Sequence, residues 1–372
     1  MMMKKWLLHI MPLAIYCMAL IACTTEQDIP EVPSAGTEGK VKVSFLLNMP
    51  SSRSNAGTGY DDNYYWERYI GTNDVRAFVY KDNKFQEEVK ALTMDEVTDE
   101  MQNQTRRITG RLTNNYTESD NLRLVVLTNM KSRGVNAPQS VTPGSSPTDL
   151  YKQLTFNYTE AWTFSERETN YIPMWGISSP FKLIEPNGWN EIETINMYRA
   201  IAKIDIKVNG GEGLGEGKGN FTINRLELCN VPNMGYCASL QAEPSAGMAF
   251  ENASCPSNMK GNESAFTVYE RAESEDGPTK IIENKIYVPE MTMYAPYPNF
   301  YIKISATIYE KEKEYTLYMR SNQTDLLTAF EIIRNHKYVI NINTVSSFDE
   351  IVAGYAISPW GEESPIDLPT FN

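Results

Sequence analysis

The feature that most constrains this chain is a two-residue rhythm of apolar side chains. Val41, Val43, Phe45 and Leu47 alternate with Lys42, Ser44 and Leu46. A period of two places one set on one face of a β-strand, whereas a helix needs spacings of three and four. The rhythm returns over 74–80, 106–113, 122–128, 221–228, 285–289, 300–309, 314–319, 332–342 and 351–357. A further β-rich run covers 192–208, with a bend expected near Tyr198-Arg199, and 181–183 reads as a short strand. Short strands separated by turn signals point to sandwiches. The expected fold is all-β with minor short helices in a sandwich architecture, and the length suggests about two domains. No strict internal repeat is visible in the residues.

Three segments break the rhythm. Ser146-Pro147-Thr148-Asp149 predicts a short helix to about Leu154, because Ser caps free N–H groups and Pro suits the first turn. The glycine-rich stretch 210–220 lacks the GxxxxGK[ST] pattern of a phosphate loop and reads as a hairpin or interdomain loop. Residues 230–280 read as loop-rich.

The N-terminus has the form of an export signal. Lys4 and Lys5 precede a mostly apolar run from Trp6 to Ala22, interrupted by Pro12 and ending in Leu20-Ile21-Ala22-Cys23. A short apolar segment with small residues before the cut is a secretory leader, too short and too broken for a spanning helix. Leu-Ile-Ala-Cys also resembles the lipobox of bacterial lipoproteins. That resemblance implies a signal peptide over 1–22, a lipid on Cys23 and attachment to the outer membrane through it. Thr24 to Lys40 is polar and holds Pro30, Pro33 and Gly36, as a tether does. Residues 23–53 are therefore expected to be a lipidated tether plus the first strand.

Charge and residue counts set aside several functions. The net charge is −13, which phosphate backbones repel, so no nucleic acid is expected as partner. His9 lies in the leader, leaving His336 alone beyond it. No metal site, cofactor or catalytic residue is expected, and the chain does not read as an enzyme. Cys229, Cys237 and Cys255 allow at most one disulfide, with small buried residues as the alternative.

Several short motifs recur in one order. They are Ile172-Pro173-Met174-Trp175-Gly176, Tyr198-Arg199-Ala200-Ile201-Ala202-Lys203-Ile204, Tyr287-Val288-Pro289-Glu290, and Arg334-Asn335-His336-Lys337-Tyr338. In that order they resemble the PMxG, RAxAKI, YxPE and RNHxY elements of fimbrillins, the subunits of type V pili. Trp360 stands in a C-terminal region where major subunits also carry a Trp. The resemblance implies two tandem β-sandwich domains, over 54–195 and 196–372, and maturation by an Arg-specific surface protease, which cuts after an arginine in the loop following the first strand. Here the candidate bond is Arg53–Ser54, in a stretch of small polar residues with Pro50 and Gly57.

The strand then lost carries Val41, Val43, Phe45 and Leu47, and a strand from another subunit fills its groove. A sandwich missing a strand exposes apolar side chains and unpaired backbone groups. A donor burying about four apolar side chains gains on the order of 6–12 kcal/mol before ordering costs. The candidate donor lies near 351–372, with Ile351, Ala353, Tyr355, Ile357 and Trp360. The alternative is that this stretch stays in its own sheet.

The leading expectation is a polymerising stalk subunit at the outer membrane and in the extracellular fimbria, whose partners are further copies of itself and other pilus subunits. A tip adhesin, a ligand-binding surface lipoprotein and an anchor that retains its lipid and first strand stand as alternatives.

Overall fold

In the computed structural model of the chain, alternation produces strands almost wherever it occurs. The described residues are 41–48, 66–98, 104–164, 170–208, 221–241, 250–292, 299–319, 331–347, 350–359 and 366–367, apart from isolated positions within those spans. The strands of the first half are β1 (Val41–Asn48), β2 (Val75–Lys81), β3 (Lys84–Glu88), β4 (Lys90–Thr98), β5 (Gln104–Leu112), β6 (Leu122–Thr128), β7 (Thr155–Asn157), β8 (Met174–Ile177), β9 (Trp189–Asn196) and β10 (Tyr198–Arg199). Those of the second are β11 (Ile201–Val208), β12 (Thr222–Cys229), β13 (Met234–Tyr236), β14 (Phe266–Glu270), β15 (Ile281–Pro289), β16 (Tyr301–Ile308), β17 (Lys311–Tyr318), β18 (His336–Ser347), β19 (Glu350–Pro359) and β20 (Ile366–Asp367). One helix, α1 (Pro147–Tyr151), lies between β6 and β7.

Strand order shows the two halves to be built alike. The first half has sheets β4-β5-β1-β9 and β10-β8-β6-β2-β3; the second has β15-β11-β18-β19-β20 and β14-β12-β16-β17. The first strand of each half lies antiparallel to one neighbour and parallel to another. β1 pairs this way with β5 and β9, and β11 with β15 and β18. In the companion sheets β2 joins β3 and β6 as β12 joins β14 and β16. β6 pairs with β8 as β16 pairs with β17. The halves thus share a topology that no residue repeat announces. A small sheet of β7 and β13 links them.

Burial follows the alternation. Val43, Phe45 and Leu47 are all at most 1% exposed, and one contiguous hydrophobic cluster runs from β1 through Tyr355. The architecture is all-β sandwich, as the alternation requires.

Several expectations shift. α1 ends at Tyr151 rather than near Leu154, and its Ser146 cap forms a reciprocal capping box with Asp149. The 181–183 stretch is reduced to a single bridge between Phe181 and Leu122. The bend near Tyr198-Arg199 is present, and sheet membership changes across Ala200. The run expected to be strand from Ile332 begins only at His336. Asn335 takes a left-handed backbone (φ 54), and Ile332 makes one isolated bridge to Met291. The 230–280 region contains two strands, β13 and β14. Residues 210–220 lie outside the described residues.

Candidate functional site

Three places bear on what the chain does: the slot that β1 occupies, the seat of the C-terminal strand, and a buried polar junction where the motifs meet.

β1 fills the slot between β5 and β9. Its register with β5 runs unbroken from Val41↔Leu112 to Asn48↔Thr105. On the other side it runs parallel to β9, with one irregularity between Phe45 and Leu47. Val41, Val43, Phe45 and Leu47 face the core at 3% exposure or less. The side-chain ties are few. Asn48 Nδ2 donates to Asn196 Oδ1 at 2.9 Å, and the Lys42 ammonium lies 5.2 Å from the Trp189 ring centroid. Taking β1 away would leave β5 and β9 each with an unpaired edge around an apolar slot. Cys23, Arg53 and Ser54 lie outside the described residues.

The C-terminal strand is held in its own sheet. β19 pairs antiparallel with β18 from His336↔Pro359 to Ser347↔Glu350, and β20 covers part of its other edge. Ala353 and Tyr355 are buried, Ile357 is half-buried, and Tyr355 Oη donates to the Tyr318 carbonyl at 2.6 Å. Ile351 belongs to β19 by its backbone; Trp360 lies outside the described residues.

The polar junction gathers motifs that are far apart in sequence. β11 alternates Ile201, Lys203, Asp205 and Lys207 with Ala202, Ile204, Ile206 and Val208, which reads as one wet face and one dry face. Instead Lys203 and Asp205 are buried. Lys203 Nζ meets Glu67 Oε1 at 2.7 Å, and the Tyr287 hydroxyl donates to the same oxygen at 2.7 Å. Arg199 Nε donates to the Glu67 carbonyl at 2.6 Å, and Arg199 Nη1 reaches Asn335 Oδ1 at 3.3 Å. Asn335 N donates to the Ile201 carbonyl. Burial depresses the Arg199 guanidinium to about 10, offset in part by Glu67, so it stays charged at neutral pH. Desolvation raises the Tyr287 phenol well above its usual value, so it remains a donor.

A second buried pair lies beside the first. Arg334 Nη2 contacts Glu290 Oε2 at 2.5 Å and donates to the Tyr236 carbonyl at 2.9 Å. Desolvation pushes the Glu290 carboxyl up, and Arg334 pulls it back. His336 Nδ1 hydrogen-bonds the Arg334 carbonyl at 2.8 Å, and Tyr338 Oη accepts from the Ile333 amide at 2.8 Å. Arg334, Asn335, His336 and Tyr338 therefore shape the turn that delivers the chain into β18. Asp205 Oδ2 pairs with Lys337 Nζ at 2.9 Å, and its Oδ1 accepts from the Asn284 amide at 3.0 Å. In the PMxG element, a Cβ on Gly176 would meet the Asn196 carbonyl at 2.5 Å, so β8 approaches the end of β9 as only glycine allows.

The residue that sequence reasoning missed is Glu67. It carries no motif, and only its two neighbouring aromatics, Trp66 and Tyr69, hinted that 66–70 is not free loop. The three cysteines are free thiols, with Cys229 and Cys237 buried; desolvation raises Cys237 and Cys255 to about 12, the state of inert structural thiols. No cluster of potential metal ligands exists among the described residues. Nor is any helix among them long and apolar enough to cross a membrane.

The profile of the family described as fimbrillin-A associated anchor proteins Mfa1 and Mfa2 matches residues 60–364. No curated protein matches the chain. Among solved structures, it is similar to a fimbrial assembly protein from Parabacteroides distasonis ATCC 8503, with 12% identity, 88% of this chain and 98% of that one covered, and a TM-score of 0.45. A proposed cell adhesion protein from the same strain gives 11% identity, 88% and 100% coverage, and a TM-score of 0.46. A proposed adhesin from Bacteroides thetaiotaomicron VPI-5482 gives 13% identity, 88% and 98% coverage, and a TM-score of 0.36.

Proposed function

The chain belongs to the family of fimbrillin-A associated anchor proteins Mfa1 and Mfa2, and from that premise we propose that it is the anchor at the end of a surface fimbria. In this reading Cys23 carries the lipid, the chain keeps β1 in its own sheet, and β19 stays home rather than serving as donor. Its link to the filament then runs through surface contact rather than an exchanged strand. The stalk expectation gives way to one of its stated alternatives.

The observation that carries the reading is the seat of β19. A donor strand must leave with its apolar side chains exposed until a neighbour takes them. β19 pairs along its length with β18, is partly covered by β20, and buries Ala353 and Tyr355. Withdrawing it would strip β18 of an inner neighbour and open the second-half core. Truncation before Glu350 tests this. The anchor reading expects the shortened chain to lose its cooperative thermal transition. A chain that keeps its melting temperature and loses only assembly would mark a spare donor.

One observation favours a second reading, the polymerising stalk subunit. β1 is held mainly by backbone pairing and apolar contact, so a cut at Arg53–Ser54 would leave a slot that a strand of the same alternation fits. Polymerisation after treatment with an Arg-specific protease would restore that reading.

A further inference from the structure

Between the start of β1 and the start of β2 the chain has two arginines, Arg53 and Arg68. A protease that recognises arginine by its side chain alone would treat both bonds as substrates. The fold treats them differently, because the segment around Arg68 is fastened from both sides. On the N-terminal side the Glu67 carbonyl accepts from Arg199 Nε at 2.6 Å, and its carboxylate holds Lys203 and Tyr287 at 2.7 Å each. Trp66 stacks on Phe164, with ring centroids 5.5 Å apart. On the C-terminal side the Tyr69 carbonyl accepts from Asn129 Nδ2 at 2.7 Å, and the Gly71 amide donates to Asn129 Oδ1 at 2.9 Å. The Tyr69 ring stacks on Tyr171 at 4.2 Å, and Ile70 is 2% exposed. Arg68 itself is buried.

Proteases bind several residues around the scissile bond as an extended strand, so a segment fixed this way is cut only through local opening. When opening and reclosing are fast, the cutting rate follows the open population. We infer that Glu67 and Asn129 form a clasp that closes the Arg68–Tyr69 bond to arginine-specific proteolysis. Between β1 and β2, arginine-specific processing of the folded chain then ends before Trp66. Without Glu67, Lys203 would be left in the interior with its carboxylate partner gone. The inference concerns the folded subunit itself and does not depend on its being an anchor or a stalk.

The test is a native time course of the full chain with an arginine-specific endoprotease, followed by intact mass and N-terminal sequencing. The parent should yield a Tyr69 N-terminus at least about tenfold more slowly than Glu67→Ala. Glu67→Gln, which keeps acceptors for Lys203 and Tyr287, should fall between them. Asn129→Gly tolerates the left-handed backbone there (φ 61) and should open the same bond from the other side, which covers a Glu67→Ala chain that fails to fold. Adding Arg68→Lys to either variant should abolish the new N-terminus. A parent cut after Arg68 as fast as the variants overturns the inference, as does a bond that stays equally resistant in both.

Discussion

β1 and β11 hold the same place in their two halves, yet they are kept there by different means. Each is an inner strand with one antiparallel and one parallel neighbour. Each buries an apolar face: Val43, Phe45 and Leu47 in one, Ile204 and Ile206 in the other. β11 adds a second buried face of charge, where Lys203 meets Glu67 and Asp205 meets Lys337. Among the described residues β1 has no counterpart; its side-chain ties include the Asn48–Asn196 amide pair, the Lys42–Trp189 contact and an Asn190 amide bond to the Lys42 carbonyl. Backbone pairing and apolar burial are generic, so any strand of the same alternation satisfies them. Buried ion pairs are particular, because removing one partner strands the other. β1 is therefore held by generic contacts and β11 by particular ones.

The comparison breaks first, if it is wrong, at the buried charge. Lys203→Ala should cost about 3–5 kcal/mol by leaving the Glu67 carboxylate unpaired, whereas Lys42→Ala on β1 should cost about 0.5–1 kcal/mol. Denaturant titration of both variants measures the contrast; equal losses would erase it. Apolar truncation should not separate the strands. Phe45→Ala should cost about 3–5 kcal/mol and Ile204→Ala about 2–5 kcal/mol, read from the same titrations.

Replaceability is tested by supplying the strand in trans. A chain starting at Ser54 should gain thermal stability when a peptide spanning residues 41–48 is added, by about 2.7 kcal/mol at a hundredfold excess over its Kd. A peptide of the same composition with its alternation scrambled should give no such gain to the same chain. Asn48→Ala should remove about 0.5–1.5 kcal/mol, the ordinary worth of one hydrogen bond.

The smallest effect concerns pH. Desolvation lowers the His336 pKa from its usual 6.5, with the Arg334 carbonyl opposing. The unfolded chain then takes up a proton before the folded one does. Stability from this group is full above about 6.5 and is lost as pH falls below it towards the depressed folded value. Stability profiles of parent and His336→Gln should diverge only in that acid window, with the parent the steeper. Glu290 titrates the other way, its raised carboxyl favouring the folded state on acidification, and cancels in the difference between the two profiles.

Much of the fold was legible because alternation reports directly on half-buried strands. β1, β2, β6, β12 and β16 begin and end within a residue or two of the expected segments, and the Ser146 cap forms as its chemistry demands. β3 was missed because its signal lies in the turn: Lys81 pairs with Lys84 across Asp82-Asn83, both with positive φ, the backbone of a tight hairpin. β18 was started too early because Ile332 and Ile333 look like strand, while Arg334 and Asn335 are engaged by Glu290, Arg199 and Ile201. The polar face of β11 was legible as a pattern, but its burial was not. That depends on Glu67, which is 136 residues away from Lys203 and bears no local mark.

The proposed anchor role requires that the subunit keep its first strand. Mass spectrometry of the chain extracted from the surface of its own cells decides this most directly. The account predicts a polypeptide that begins at Cys23, carries lipid there and runs unbroken through β1 into Trp66. A lipid-free chain beginning at Ser54, with β1 gone and its slot filled by a strand of another subunit, would contradict it.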